Sequence, residues 1–351
     1  MSKILIAGRF RPFAVERHWR DQLVRDGHDV HAFDFDETVR RACGGLDIVR
    51  RVVYRLANRA GDLVIGPAFA NAAATFRPDL VLVVSGHWIS APVVRRVRAA
   101  TGATMLHHYG DDLANTGVTT PTLRSAVAAY DHFFTSKSHN LAELRTRGCR
   151  SVTFVTCGYM PGYHEPAHLT DEERVAYGSE LVFIGTYETE RARLLERLAD
   201  RGLRIWGTGW ERLRAGSPLR RCWTGRPAYG PEMAKIVAAS KVALGFLRKA
   251  NRDLHTMRTF EIPALRGFQL SERSDEILSF FREGETIACF DGERELARQV
   301  DHYLAADAER ERIADAGFRH VRAGRFSYCD VLDTMLQVAH LRQGYGGQAH
   351  A

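Results

Sequence analysis

Two apolar runs, each containing a glycine turn and followed by a helical stretch, constrain this chain more than any other feature. The first run, residues 3–8, leads into a predicted helix at 14–26 and a second strand at 29–33. Helical spacing of valine and leucine then predicts further helix within residues 36–76. The second run, residues 181–186, begins the C-terminal half in the same way as the first. Because a strand, a glycine turn, a helix and a further strand open a doubly wound α/β domain, the sequence predicts two such domains.

The length of 351 residues also favours two domains, because one hydrophobic core rarely serves a chain of this size. Strands and helices alternate until a segment rich in glycine and proline interrupts them. We therefore expect an N-terminal Rossmann-like domain at residues 1–160, a linker at 161–180 and a C-terminal Rossmann-like domain at 181–325. A final helix is expected at residues 326–341, and the polar tail at 342–351 is predicted to be disordered.

The composition is that of a soluble globular protein, since 45% of the residues are hydrophobic and 26% are charged. The sequence contains neither a signal peptide nor an apolar run long enough to span a bilayer. We therefore expect a cytoplasmic location with at most peripheral membrane contact. The six cysteines form no CxxC pair, which predicts neither a zinc site nor a disulfide framework.

The formal net charge of +7 is carried mainly by arginine. Arginine-rich faces can attract nucleic acid, anionic lipid or diphosphate substrates. A general preference for arginine over lysine explains the same charge without any partner, and we expect no nucleic-acid partner. The turn at residues 8–12 does not match GxGxxG, which argues against a nicotinamide or flavin cofactor.

Residues 257–270 predict a short helix that ends near Gly267 and leads into a buried strand. Arg258 and Glu261 are three residues apart, so they share a face if this segment is helical. A guanidinium binds phosphate oxygens and a carboxylate accepts from a vicinal diol, so this face suits a sugar nucleotide. An ordinary surface ion pair is the alternative interpretation. Pro263 predicts that the helix either starts late or is kinked.

Polar residues follow two predicted strands of the N-terminal half. His87 comes after one strand, and Asp111 and Asp112 come after the next. Because ligands bind past the carboxyl ends of parallel strands, these three residues are candidates for catalysis. His107 and His108 lie within the second strand and point to opposite faces, which argues against a metal cluster. The two aspartates are also compatible with a simple turn.

The C-terminal half resembles the CgeB-like branch of the group 1 glycosyltransferases. The resemblance begins with Arg-Thr-Phe-Glu-Ile-Pro-Ala at residues 258–264 and continues with Ser-Glu-Arg-x-Asp-Glu at 271–276. It extends through Phe-Phe-x-x-Gly at 280–284 and Asp-x-Glu-x-Glu-Leu at 291–296, and covers the N-terminal half only in outline. The resemblance implies an α/β protein of the GT-B fold, with two Rossmann-like doubly wound domains facing a central cleft. It also implies that the helix at 326–341 crosses back to the N-terminal domain.

The resemblance further implies a donor site in the C-terminal domain. In the wider group, two glutamates separated by seven residues face the donor, and these positions fall on Asp253 and Glu261. The aspartate is a departure from the family pattern. The glycine loop after the first strand and the turn after the second also lie against the donor, which carries over to Gly185, Thr186, Arg191 and Gly207. Tight turns alone would explain these glycines equally well.

The function implied is a metal-independent glycosyltransferase that moves a sugar from a nucleotide-sugar to an unidentified acceptor. The nucleotide-sugar is a donor substrate and not a cofactor, and the acceptor is a glycan, a protein or a small molecule bound by the first domain. We expect Arg258 to bind the diphosphate and Glu261 the ribose. If the reaction inverts the anomeric carbon, Asp111 or Asp112, with His87, is expected to receive the acceptor proton.

Two alternatives remain open from the sequence. A nucleotide-sugar 2-epimerase can have the same fold, and it would need carboxylates on both sides of the sugar but no acceptor site. A non-catalytic sugar-nucleotide-binding protein is the second alternative. Asp253, at a position where the family carries glutamate, favours this second alternative.

Overall fold

The structure, a computed structural model, describes residues 1–42 and 64–339. In these residues the strands form two parallel sheets, as the paired α/β openings predict. The helix predicted within residues 36–76 is described at its two ends, as α2 (Phe35–Ala42) and α3 (residues 64–76). Its middle part and the tail predicted to be disordered lie outside the described residues.

The first sheet has six strands: β1 (Lys3–Gly8), β2 (Asp29–Asp34), β3 (Leu80–Val84), β4 (Thr104–Tyr109), β5 (His132–Thr135) and β6 (Val152–Phe154). The order across the sheet is β2-β1-β3-β4-β5-β6. Besides α2 and α3, its helices are α1 (Val15–Arg25), α4 (Ala91–Thr101), α5 (Pro121–Ala126) and α6 (Asn140–Thr146). β3 is buried along its whole length, which accounts for its unbroken run of leucine and valine.

The second sheet has five strands: β7 (Ser179–Ile184), β8 (Leu203–Trp206), β9 (Ser240–Gly245), β10 (Gln269–Glu272) and β11 (Ala288–Phe290). Its helices are α7 (Asp171–Tyr177), α8 (Thr189–Glu196), α9 (Gly230–Ala238), α10 (Arg258–Ala264), α11 (Asp275–Phe280), α12 (Gly292–Ala305) and α13 (Asp307–Ala323). The order across this sheet is β8-β7-β9-β10-β11. Counted within each unit, it is the same as the order of the first five strands of the first sheet, β2-β1-β3-β4-β5. The strand order reverses between β1 and β3 and between β7 and β9, and we call these two positions the switch points.

The chain divides into two compact units. The first contains Met1–Thr156 and the segment from Tyr328 onward, and the second is Cys157–Ser327. The segment expected to be a linker, residues 161–180, thus lies inside the second unit and contains α7. A capping box forms there, because Thr170 Oγ1 accepts from the Glu173 amide while Glu173 Oε2 accepts from the Thr170 amide. These bonds satisfy backbone N–H groups at the start of α7, a helix that we did not predict from the polar sequence of this segment.

The last helix, α14 (Tyr328–Val338), groups with the first unit. Trp19 of α1 donates a buried hydrogen bond from Nε1 to the Tyr328 carbonyl at 2.6 Å. Val331, Leu332 and Met335 of α14 are buried. Their three- and four-residue spacing gives the helix one apolar face, which explains why it packs rather than remaining exposed.

Most helices of the described residues follow a strand. The longest of them, α13, has 17 residues and includes several arginines and acidic residues. No helix in residues 1–42 and 64–339 is long and apolar enough to cross a membrane.

Candidate functional site

A cavity of about 300 Å³ opens at the carboxyl ends of the strands of the second unit. Gly185 and Thr186, which follow β7, form part of its wall together with Gly207, which follows β8. Gly245, the last residue of β9, also lines it. The cavity therefore lies at the switch point between β7 and β9, where open α/β sheets bind their ligands.

Close packing of two turns explains the glycine at position 207. A Cβ on Gly207 would lie 1.8 Å from the carbonyl oxygen of Gly185, a distance that no side chain can tolerate. Trp210 Nε1 donates to the same Gly185 carbonyl at 2.9 Å and fixes it in place. The tight-turn interpretation of these glycines is thus compatible with a ligand role, because the packing brings both backbone turns to the cavity wall.

Three arginines, Arg191, Arg248 and Arg258, line the cavity, and none of the described lining residues is aspartate or glutamate. The Arg191 Nη1 donates to the Thr186 carbonyl at 2.7 Å, and its guanidinium lies 5.1 Å from the centre of the Phe183 ring. Burial lowers the pKa of Arg191, although the group remains a cation at any ordinary pH. Three guanidinium groups around one cavity favour a polyanionic ligand such as a diphosphate.

Arg258 and Glu261 form the ion pair that their spacing predicts. Arg258 also donates from Nε to the Ile184 carbonyl at 3.2 Å, which ties the guanidinium to the end of β7. Pro263 lies in the last turn of α10, which ends at the next residue. The helix therefore shows neither the late start nor the kink that Pro263 predicted. The left-handed φ of 61° at Arg266 terminates the helical path.

The two carboxylates expected to face the donor, Asp253 and Glu261, are buried and do not belong to the described cavity lining. Asp253 Oδ1 accepts a hydrogen bond from Asn251 Nδ2 at 2.7 Å. The Asp253 charge favours the cationic form of Arg191, while Glu261 pairs with Arg258. Glu261 is therefore connected to the cavity wall through Arg258.

His87 lies at the end of β3 in the first unit, after a turn in which Ser85 and Gly86 both have positive φ, of 63° and 52°. Burial, together with the positive charge of Arg9, lowers the pKa of His87 to about 4. The imidazole is therefore neutral at physiological pH. Its ring centre lies 5.9 Å from that of Tyr109.

Asp111 and Asp112 follow β4, as predicted, and their local contacts are those of a turn. The buried Asp112 accepts from the Ala114 amide at 2.9 Å through Oδ1, and His139 Nε2 lies 3.7 Å from the same oxygen. The carbonyl of Asp111 accepts from Asn140 Nδ2 at 2.9 Å. Burial raises the pKa of Tyr109, and both aspartates add to this rise, so the predicted pair lies near the residue that His87 contacts.

The adjacent histidines of β4 are both buried and serve the core. His107 stacks on Phe133 with ring centres 4.4 Å apart, and His108 meets the edge of Trp19 at 5.0 Å. Burial lowers the pKa of each, that of His108 to about 4. In the part of the chain that the structure describes, no group of three or more His, Cys, Asp or Glu side chains is arranged to hold a metal ion.

Sequence reasoning missed Arg248 and His164. Arg248 follows β9 closely, so the tendency of ligands to bind past the carboxyl ends of parallel strands could have indicated it. His164 fell within the predicted linker, yet its Nε2 lies 3.5 Å from Oε1 of Glu261. The sequence carries no signal for this contact, because the two residues are distant along the chain.

Comparison with known proteins gives one match to a family and several to solved structures. Residues 190–337 match the family model described as Glycosyl transferase-like. A search of curated protein sequences gave no match. The family match therefore covers α8 to α14, including most of the cavity wall, and less than half of the chain.

The structural similarity extends over nearly the whole chain. Sucrose-phosphate synthase from Thermosynechococcus elongatus is 14% identical with a TM-score of 0.70, covering 97% of this chain and 98% of that chain. Anabaena Alr3699/HepE in complex with UDP-glucose is 11% identical with a TM-score of 0.67, covering 97% and 100%. The trehalose 6-phosphate synthase of Burkholderia multivorans is 15% identical with a TM-score of 0.63, covering 97% and 96%. At these identities the similarity establishes the fold class alone, which is GT-B with two Rossmann-like domains.

Proposed function

We propose that this chain is a glycosyltransferase of the CgeB-like kind that uses a nucleotide-sugar donor. The observation that carries the proposal is the cavity at the second switch point, with three arginines and no carboxylate among its described lining residues. The match of residues 190–337 to a glycosyl transferase-like model supports it. The similar fold of Alr3699/HepE, whose structure contains UDP-glucose, makes a uridine nucleotide the first donor to test.

In this proposal, Arg258, Arg191 and Arg248 bind the diphosphate of the donor. Charge accumulates on the diphosphate as the glycosidic bond breaks, so cations fixed beside it stabilise the transition state more than the ground state. The turns at Gly185 and Gly207 form part of the cavity wall, where their backbone groups can contact the ligand. These positive charges allow the leaving group to depart without a bound metal ion.

The acceptor side of the proposal rests on the first unit. An inverting reaction needs a group that accepts the proton of the acceptor hydroxyl. His87 is neutral at physiological pH, but its pKa of about 4 makes it a weak base. Asp111, the more exposed of the two aspartates, is therefore the first candidate to accept the proton, and His87 is the second. Asp112 is held by the Ala114 amide, and its role in the proposal is to fix the turn that presents Asp111.

A panel of nucleotide-sugars, beginning with UDP-glucose, tests the proposal. The protein is incubated with each donor, with and without a mixture of sugar and peptide acceptors, and nucleotide and sugar products are quantified. Release of nucleotide that depends on acceptor supports a transferase. Isomerised sugar without release would instead indicate a 2-epimerase, and binding without any conversion would indicate a sugar-nucleotide-binding protein.

A further inference from the structure

Glu261 is a buried carboxylate whose two oxygens both face protein groups. Oε2 pairs with Arg258, and Oε1 lies 3.5 Å from His164 Nε2. The side chains of Glu261 and His164 are each only 3% exposed. A buried carboxylate requires such partners, because an unpaired charge away from water is strongly unfavourable.

The backbone around His164 determines which ring nitrogen carries the proton. Nδ1 accepts a hydrogen bond from the Met160 amide at 2.9 Å, so it carries no proton. Burial lowers the pKa of His164, which keeps the imidazole neutral, and the single proton must then be on Nε2. This N–H faces the Glu261 carboxylate.

The contacts that begin at the Met160 amide end at the cavity, through Arg258. Arg258 lines it, and two of its three nitrogens are held by the protein, one by Glu261 and one by the Ile184 carbonyl. An arginine side chain has several rotatable bonds, so holding it at two nitrogens removes entropy that ligand binding would otherwise have to offset.

We propose that Glu261 supports Arg258 instead of binding the ribose, and that His164 is a positioning residue that holds Glu261. The three side chains connect the Met160 backbone to the cavity, and we call them the His164–Glu261–Arg258 relay. His164 and Glu261 are buried, and Arg258 lies in the cavity wall. The inference rests on the proposed function only for the identity of the ligand as a nucleotide. The inference itself is that the relay holds Arg258 in position to bind the diphosphate.

The two roles of Glu261 predict different responses to ligand structure. A carboxylate that accepts from ribose hydroxyls distinguishes UDP from 2′-deoxy-UDP and has no effect on inorganic pyrophosphate. A carboxylate that positions Arg258 affects UDP, 2′-deoxy-UDP and pyrophosphate by the same factor. Comparing the three ligands therefore separates a ribose contact from support of the guanidinium.

The first experiment measures binding of these three ligands to the wild type and to Glu261→Gln, which preserves side-chain shape. Each ligand is expected to bind roughly tenfold to a hundredfold more weakly to the variant, by the same factor in each case. Arg201→Ala, which removes an exposed ion pair with Asp301, is the matched control and should leave all three affinities unchanged. Unaltered pyrophosphate binding, with loss of discrimination between UDP and 2′-deoxy-UDP, would overturn the proposal.

The second experiment tests His164 with two substitutions. His164→Leu removes the donor and is expected to weaken all three ligands equally, whereas His164→Gln retains an N–H donor and is expected to weaken them less. In the double variant with Arg258→Ala, His164→Leu should add no further loss, because it acts through that arginine. Additive losses would overturn the proposal, as would a His164→Leu protein that is folded and binds normally.

Comparing the binding of nucleoside diphosphates with that of pyrophosphate also distinguishes this inference from the proposed function. Failure of UDP, ADP and GDP to bind, while pyrophosphate still binds, would overturn the nucleotide-sugar proposal alone. Failure of the wild-type protein to bind pyrophosphate would overturn the relay. Thermal melts of each variant verify folding, and Glu261→Gln still tests the relay if His164→Leu does not fold.

Discussion

The two units share one strand order, but they differ in one charged contact. In each unit a side chain of the first helix contacts the loop after the first strand, and this side chain is basic in the second unit and acidic in the first. In the second unit, Arg191 of α8 reaches the Thr186 carbonyl. In the first unit, Glu16 of α1 accepts from the Arg9 amide at 3.2 Å through Oε1. A Cβ on Gly8 would lie 2.5 Å from Glu16 Cγ, so the glycine that ends β1 makes room for this carboxylate.

The difference teaches that topology determines where a ligand can bind, whereas a few side chains determine the charge it must have. At the first switch point, Arg9 lies 3.4 Å from Asp36 and 4.9 Å from the centre of the Trp88 ring, and Glu16 is buried nearby. Acidic and basic groups therefore balance there. At the second switch point the arginines also have acidic partners, Glu188 and Glu261. Neither carboxylate belongs to the described cavity lining, so the wall itself presents guanidinium groups, which favours an anion.

The largest expected effect concerns the core of the first unit. Leu332 of α14 is fully buried, so Leu332→Ala should lower the free energy of unfolding by about 2–5 kcal/mol through lost contacts and a cavity. Leu278→Ala is the control, because this side chain is 39% exposed, and it should change stability by no more than about 0.5 kcal/mol. Denaturation of the full chain measures both. If α14 serves only the first unit, nucleotide affinity should not fall in the folded Leu332→Ala protein.

Arg258→Ala tests the charge of the second switch point. Removing a charge-assisted contact to the diphosphate should weaken nucleotide binding by about 1.5–3 kcal/mol, measured by calorimetry. Arg266→Ala is a matched control, because Arg266 follows the same helix and forms an exposed ion pair with Asp315 at 2.6 Å. Equal affinities for the two variants would remove the contrast between the two switch points.

His108→Phe tests how buried histidines make the first unit sensitive to acid. Burial lowers the pKa of His108 to about 4, so the unfolded chain binds a proton near pH 6.5 while the folded chain does not. The stabilising contribution is complete above pH 6.5 and decreases as the pH falls toward 4, by about 2 kcal/mol at pH 5. Melts at pH 7.5 and pH 5 should show a smaller acid loss in the variant. An identical loss in both proteins would mean that His108 takes up its proton in the folded state.

The elements most readily predicted from sequence were those whose side chains are buried on both faces. β1 has the predicted ends, because an apolar run between Lys3 and Gly8 leaves little choice. α7 was missed because none of its residues is buried, so it has no hydrophobic period, although the pair Thr170 and Glu173 was a readable capping signal.

The candidate site was predictable in position and less so in detail. Gly185, Thr186 and Gly207 were expected from the family resemblance, and they lie in the cavity wall past the ends of β7 and β8. The burial of Glu261 could not be predicted, because three-residue spacing defines a shared face without saying what covers it. His164 contacts Glu261 from a segment whose sequence is typical of a loop.

The smallest expected effect is that of metal chelation, where we predict no change. Three arginines at the cavity supply the positive charge that a divalent cation would otherwise give to a departing diphosphate. Donor binding and turnover should therefore be the same in EDTA as in Mg²⁺ or Mn²⁺, and Arg258→Ala should remain impaired in either metal. Loss of activity in EDTA with rescue by Mg²⁺ would contradict the prediction. Asp111 and Asp112 would then be the first residues to substitute. Loss of the rescue by Mg²⁺ in a folded Asp111→Asn protein would place an essential cation in the first unit and reverse the assignment of charge between the two units.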